Sequence, residues 1–384
     1  MTAFSVLDLD DAASLEAADA EGRLRAAALG GAQVRAVAAA VREDVLARLN
    51  DLRPRSLLLV TGPGRATRAA SLLVAALGDG AGLPIVHVAT TPRWVGPLDV
   101  VVVAGDDAGD PRLAESVAQA LRRGAEVVVA APDEGPLRAA AAGRATSVPP
   151  RIRVLDHHAM LRYLAVCIAV LAVVDRSASG ARVPDLDRLA DLLDAEAIRD
   201  HPSNEVFHNP AKSLAARMQN RRVVLAGDAP ATSEVALHAA EVLLRETGTP
   251  AAAADLADAV ATAEFGGDSA PAGYDPFFHD DQIDGPAPQA PLRVFVLSTE
   301  QNRSAVERRF AILNDAELVA AESDDAPEAM PDAPAGTGSG PGRVIEELAV
   351  LAVRLEMAAA YLRLISGTGE RSLVPGTQSE EESV

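Results

Sequence analysis

The chain is predicted to be an α/β protein built from two doubly wound parallel sheets in tandem, with flanking helices. Three observations predict this. Short, wholly apolar runs such as Leu57 to Val60 and Val100 to Val103 have the composition of strands buried on both faces. Each run is followed by a turn rich in glycine or aspartate and then by a helical stretch of alanine and leucine, the repeating unit of an open parallel sheet. After residue 220 the same strand, turn and helix order begins again.

The elements follow in order. Asp10 to Asn50 carries apolar residues at helical spacing, one or two helices, and Arg53-Pro54 ends them. Leu57 to Val60 is the first strand, Thr61-Gly62-Pro63-Gly64 breaks it, and Arg65 to Leu77 is a helix. Strands are expected at 83–89, 99–104, 125–131 and 146–148, with helices at 111–123 and 135–142, the first of them opened by Pro111. Arg151 to Val174 leads into a very apolar helix, and Val183 to Ile198 is another. The restart comprises strands at 221–226, 292–297 and 317–322, helices at 233–246 and 304–313, and a long helix at 341–365. Residues 266–291 and 323–342 are rich in Pro, Gly, Ala and Asp and read as loose connections. The expected domains are a helical segment (1–50), a first α/β domain (51–150), connecting helices (151–220), a second α/β domain (221–367) and a disordered tail (368–384).

Composition limits the function. The 384 residues suffice for two domains, and with 49% hydrophobic but only 3% aromatic residues the cores must be built from Ala, Val and Leu. A formal net charge of −20 opposes binding to nucleic acid phosphates and to anionic membrane surfaces. A single cysteine, Cys167, excludes an internal disulfide and fits a reducing compartment. Met1 to Ala20 lacks the apolar core of a signal peptide, and Tyr163 to Val174 is too short to span a bilayer, so the chain reads as soluble and cytoplasmic. No cofactor or metal is expected: His279, Asp280 and Asp281 lack the spacing of a three-ligand set.

The turn after the first strand is the first candidate site. In open α/β sheets ligands lie beyond the carboxyl ends of strands, where a helix N-terminus can hold an anion. Thr61, Gly62, Gly64, Arg65 and Thr67 occupy that place here. A tight turn that only connects two elements explains the glycines equally well, because neither a third glycine nor a Walker lysine follows.

Four stretches resemble the bifunctional phosphoglucose/phosphomannose isomerases, proteins with two sugar isomerase (SIS) domains in tandem. They are the opening strand with Gly62 and Gly64; Val100 to Ala131, with its Arg-Gly-Ala before a strand; Asn209-Pro210-Ala211-Lys212-Ser213-Leu214-Ala215 before the strand 223–226; and Leu348 to Gly367, with Glu356, Tyr361 and Ser366-Gly367. Arg308-Arg309 also fits, and the layout is covered from about residue 10 to 367. The chain looks closest to a divergent TobH-like branch. The resemblance implies a homodimer that interconverts glucose 6-phosphate or mannose 6-phosphate with fructose 6-phosphate, using a phosphate cradle, a carboxylate base and a ring-opening histidine.

The chain departs from that pattern in three places. Where the family has hydroxyls in its second phosphate loop, this chain has Gly105, Asp106, Asp107 and Asp110. Where the family has its glutamate, the chain has Arg245 with Glu246 beside it, and one residue along a helix turns a side chain by about 100°. Glu246 is therefore a weak catalytic candidate and is expected to be a solvated helix-end acid. No histidine occurs near residues 260–264. His157 and His158 precede the apolar helix, near Arg151 and Arg162, and are expected to be ordinary residues of a helix start. Lys212, the one lysine of the chain, lies in the best-matched motif and is the other weak catalytic candidate; a structural turn is the alternative. Two functions follow: an isomerase-like protein with a rearranged site, or a non-catalytic SIS protein that binds a phosphosugar or regulates a partner.

Overall fold

The computed structural model of the chain describes residues 7–77, 80–175, 183–261, 290–313, 315–321 and 340–366. The loose stretches at 266–289 and 323–339, His279 with its neighbouring aspartates, and the tail all lie outside them. Among the described residues, nine strands form two parallel sheets. The first holds β1 (Ser56–Thr61), β2 (Ile85–Val88), β3 (Asp99–Ala104), β4 (Glu126–Ala130) and β5 (Thr146–Ser147), in the order β2-β1-β3-β4-β5. The second holds β6 (Arg222–Gly227), β7 (Ala252–Asp255), β8 (Leu292–Ser298) and β9 (Ala316–Ala320), in the order β7-β6-β8-β9. Each sheet runs outward from its first strand in both directions, which creates a crevice where the order reverses, between β1 and β3 and between β6 and β8. The two halves thus share a topology, as the repeated strand, turn and helix order predicts.

The helices are α1 (Ala12–Ala18), α2 (Arg23–Ala27), α3 (Gly30–Arg42), α4 (Arg65–Leu77), α5 (Pro111–Arg122), α6 (Gly135–Ala141), α7 (Met160–Val174), α8 (Leu186–Arg199), α9 (Pro210–Met218), α10 (Pro230–Thr247), α11 (Leu256–Ala261), α12 (Arg303–Phe310) and α13 (Pro341–Ile365). Two corrections to the sequence reading concern this order. The segment before β1 forms three helices: Asp19 and Gly22 interrupt it between α1 and α2, where the Asp19 carboxylate caps the amides of Arg23 and Leu24, and Ala28-Leu29 separates α2 from α3. Strand β7 and helix α11 were not expected. β7 is the all-but-uniform Ala252-Ala253-Ala254-Asp255, whose strand state comes from parallel pairing with β6 and not from side-chain propensity.

Alternation along the strands divides the core. Leu57, Leu59, Val100 and Val102 face a layer of helices shared by both halves, whereas Leu58, Val60, Val101 and Val103 face α5 and α6. In the second sheet Leu225, Phe295 and Leu297 face the shared layer, and Ala226, Val294 and Val296 pack with Leu256, Ala259 and Val306. The shared layer contains α4 and α7 from the first half and α10 and α13 from the second, packed directly on one another. No helix of the described residues is long and apolar enough to cross a membrane.

Candidate functional site

The crevice between β1 and β3 opens at Thr61-Gly62-Pro63-Gly64. Gly64 has φ +87°, left-handed backbone that lets the strand turn at once into α4. The first turn of α4 leaves amide N–H groups without intrahelical partners, facing the crevice. The hydroxyls beside them are already committed. Thr67 Oγ1 donates to the Gly62 carbonyl at 2.8 Å, so its oxygen accepts from Thr61 at 2.8 Å. Thr61 in turn accepts from His87 Nε2 at 2.8 Å, and His87 Nδ1 accepts from Ser71 at 3.1 Å. This order assigns His87 as the neutral Nε2–H tautomer, in keeping with burial and the nearby Arg68, which both lower its pKa. Thr61 and Thr67 therefore hold the turn together and have no proton left for an anion.

Arg65 is the cation at this mouth. Its Nη2 is 3.4 Å from Asp106 Oδ2 and 3.4 Å from Asp156 Oδ2, both long for charge-assisted contacts. The acids of the second loop have separate structural duties. Asp110 caps α5 through the Arg112 amide at 2.8 Å, Asp107 accepts from the Gly109 amide at 2.7 Å, and Asp106 accepts from the Tyr163 hydroxyl at 2.5 Å. Burial together with Asp106 pushes the Tyr163 phenol well above its ordinary pKa, so it stays a proton donor.

Behind Arg65 lies a buried histidine–carboxylate cluster. Asp156 accepts two hydrogen bonds from Arg245, at 2.8 and 2.7 Å. Burial alone would raise the Asp156 carboxyl, but Arg245 and then Arg65 outweigh it and hold it below its ordinary value. His157 and His158 form the short helical turn before α7, and both converge on Glu246 Oε1 of α10, at 2.6 and 3.2 Å from their Nε2 atoms. Arg23 donates to Glu246 Oε2 at 3.0 Å. His158 Nδ1 meets Glu356 Oε2 of α13 at 2.9 Å, and His238 Nε2 meets Glu356 Oε1 at 2.7 Å. His157, His158, His238, Glu246 and Glu356 are buried, whereas Asp156 and Arg245 are exposed. Burial would drive His158 to neutrality, but Glu356 and Glu246 prevail and raise its pKa to about 9. Burial would protonate Glu246, but the hydrogen bonds of His157 and His158 hold it far below the carboxylate range. Glu356 is likewise lowered, its burial outweighed first by His158 and then by His238.

The expectations for single residues therefore need correction. Glu246 is not a solvated helix-end acid: its side chain has 0% exposure and salt-bridges across the interior. His157 and His158 are not ordinary residues of a helix start, because Glu246 and Glu356 come to them from the second half. Arg65, Asp156, His157 and Glu246 form one continuous line, with His157 Nδ1 3.6 Å from Asp156 Oδ1. Lys212 is not part of this line. Its ammonium donates to the carbonyls of Pro202 and Asn204, each at 2.7 Å, and lies 5.8 Å from the centre of the Tyr361 ring. The amide of Lys212 is capped by Asn209, so the Asn-Pro-Ala-Lys motif builds a turn. Sequence analysis missed His238 as a site residue altogether and treated Glu356 only as part of a motif. The available signal was a carboxylate amid the apolar run of α13, which must find a partner when buried.

No family model matches the chain, and no curated protein matches it. Solved structures do. A Clostridium difficile 630 protein assigned, not demonstrated, as a phosphosugar isomerase aligns over 90% of this chain and 93% of its own at 9% identity, with a TM-score of 0.60. The C-terminal domain of glucosamine-fructose-6-phosphate aminotransferase from Francisella tularensis aligns over 90% and 96% at 10% identity, with a TM-score of 0.58. Tagatose-6-phosphate ketose/aldose isomerase from Escherichia coli aligns over 90% and 91% at 14% identity, with a TM-score of 0.55. The fold is the tandem SIS fold. These similarities span nearly the whole of each neighbour, so both SIS sheets and the helices between them have counterparts there. In this SIS fold the crevice mouth at Arg65 lies at the carboxyl end of the first sheet, and the histidine–carboxylate cluster lies in the helical layer behind it.

Proposed function

We propose that the chain is a phosphosugar-binding protein of the SIS fold that has lost aldose–ketose turnover, its ligand being a hexose 6-phosphate of the glucose, mannose or fructose series. Binding is supported by the fold and by the place of Arg65. A guanidinium engaged only at 3.4 Å, beside a helix N-terminus and a left-handed glycine, can exchange its carboxylate contacts for a phosphate. Loss of turnover rests on one observation, the state of Glu246. A general base needs a pKa near the working pH and a free oxygen. Glu246 is held far below that range, with Oε1 shared by two histidines and Oε2 taken by Arg23. Pairing of two copies belongs to the same reading, and a monomeric mass at micromolar concentration counts against it.

A second reading, a rearranged isomerase, is favoured by His157. It is hydrogen-bonded to Glu246 and lies 3.6 Å from Asp156 at the edge of the crevice, an acid–base relay in outline.

The test is thermal unfolding with and without millimolar glucose 6-phosphate, mannose 6-phosphate and fructose 6-phosphate, then a coupled isomerase assay on any ligand that stabilises. The expected result is a rise in Tm without turnover, reduced in Arg65→Ala. Turnover that disappears in His157→Gln establishes the second reading. No rise with any hexose phosphate overturns both.

A further inference from the structure

We propose that His157 Nε2, His158 Nε2 and Glu246 Oε1 form a binding site for one divalent metal ion of the zinc class. The inference does not depend on sugar binding. The candidate ligand atoms of these three residues lie within 4.8 Å of one another, and all three residues are buried. Two imidazoles and a carboxylate are a ligand set suited to zinc, cobalt or nickel, and three protein ligands leave a fourth position for water or a ligand.

The surroundings provide a second, independent observation. A metal-bound imidazole characteristically directs its other ring nitrogen to a carboxylate, which fixes its orientation. The His158 ring is so placed, and the second nitrogen of His157 is left open beside a carboxylate. His158 Nδ1 is 2.9 Å from Glu356 Oε2, and Glu356 is itself held by His238. His157 Nδ1 is 3.6 Å from Asp156 Oδ1 and has no hydrogen-bond partner, an orphaned atom in a 5%-exposed side chain.

The geometry requires a small adjustment. Tetrahedral ligands about 2.1 Å from an ion lie about 3.4 Å from one another. His158 Nε2 and Glu246 Oε1 already stand 3.2 Å apart, whereas His157 Nε2 at 2.6 Å must move back by less than about 1 Å. His157 is free to do so, because its Nδ1 is unengaged and it lies on the side where Asp156 and Arg245 reach solvent. Both rings must be neutral to coordinate, so the ion displaces the proton shared with Glu246.

The experiment uses the full chain without a histidine tag, stripped with EDTA and dialysed. It is titrated with Co2+ and followed by visible absorption, then with Zn2+ in competition with a chromophoric chelator. The expected result is one ion per chain, with affinity lowered at least ~100-fold in His157→Gln, more than loss of an outer partner brings. The double variant His201→Ala/His208→Ala, at exposed histidines, should bind as the native chain does. Absence of stoichiometric binding overturns the proposal, as does binding that persists in His157→Gln. X-ray absorption on the zinc-loaded native chain provides a measure that needs no variant. Two imidazoles in the ion's first shell are expected, and a shell with fewer than two places the ion elsewhere.

Discussion

His158 Nδ1 and Glu356 Oε2 lie 2.9 Å apart although 198 residues separate them in sequence. The contact joins the turn before α7 to the centre of α13, both fully inside the helical layer. It is one of the points at which the two topological halves share charge, with the contacts of His157 and His158 to Glu246 and of Asp156 to Arg245, and its energetics can be tested directly.

The first prediction concerns pH. His158 titrates near 6.5 in the unfolded chain and about 9 in the folded one, so the stability it supplies is complete below pH 6.5 and is lost as pH rises through 9. The loss should be on the order of 3 kcal/mol. Glu246 and Glu356 act in the opposite sense: their folded values are depressed, so their contribution is present above about pH 4.5 and declines as pH falls below it. Urea unfolding between pH 4 and 10 should show a maximum near pH 5 to 6.5. His158→Gln should flatten the alkaline side, and an unchanged alkaline slope in that variant would refute the assignment.

A second prediction separates repulsion from structure in the second loop. Asp106→Asn keeps an oxygen for Tyr163 but removes one negative charge beside Arg65. If a hexose phosphate binds at this mouth, the change should tighten it by about 1 kcal/mol, roughly five-fold. Calorimetric titration decides; weaker binding would place the phosphate elsewhere.

Lys212→Met should affect stability and leave ligand binding alone. It would strip the carbonyls of Pro202 and Asn204 of a buried donor, at a cost of about 1–3 kcal/mol. Loss of hexose-phosphate binding in a variant shown to be folded by circular dichroism would restore Lys212 to the site.

Two glycines should respond differently to alanine. At Gly227, where β6 ends, a Cβ would lie 2.3 Å from the Ser233 backbone nitrogen in α10, so Gly227→Ala must force strand and helix apart. At Gly64 nothing lies within 4 Å, and Gly64→Ala should cost only the left-handed backbone penalty of about 1–2 kcal/mol. Chemical denaturation of the two variants should rank them in that order.

The tandem architecture was legible because parallel strands buried on both faces have an unambiguous signature, and Val100 to Val103 carries it without interruption. β7 was not legible because four small residues carry no pattern of their own and are recruited by β6. Thr61, Gly62, Gly64, Arg65 and Thr67 lie at the turn after β1, but their hydrogen bonds were not foreseeable: whether a threonine faces a ligand or a histidine 26 residues away is decided by packing. The histidine–carboxylate cluster was missed for the same reason. Its members come from four separate segments, and proximity along the chain reveals only His157 and His158.

The helical layer shared by the two sheets has a consequence for modularity. Although the halves repeat one topology, a gene split between α9 and β6 would give two products, each with an uncovered apolar face, and neither product would contain both His158 and its carboxylates. Function and folding are thus indivisible here in a way that the visible repeat conceals: the duplicated units are interdependent, and each has become part of the other's interior.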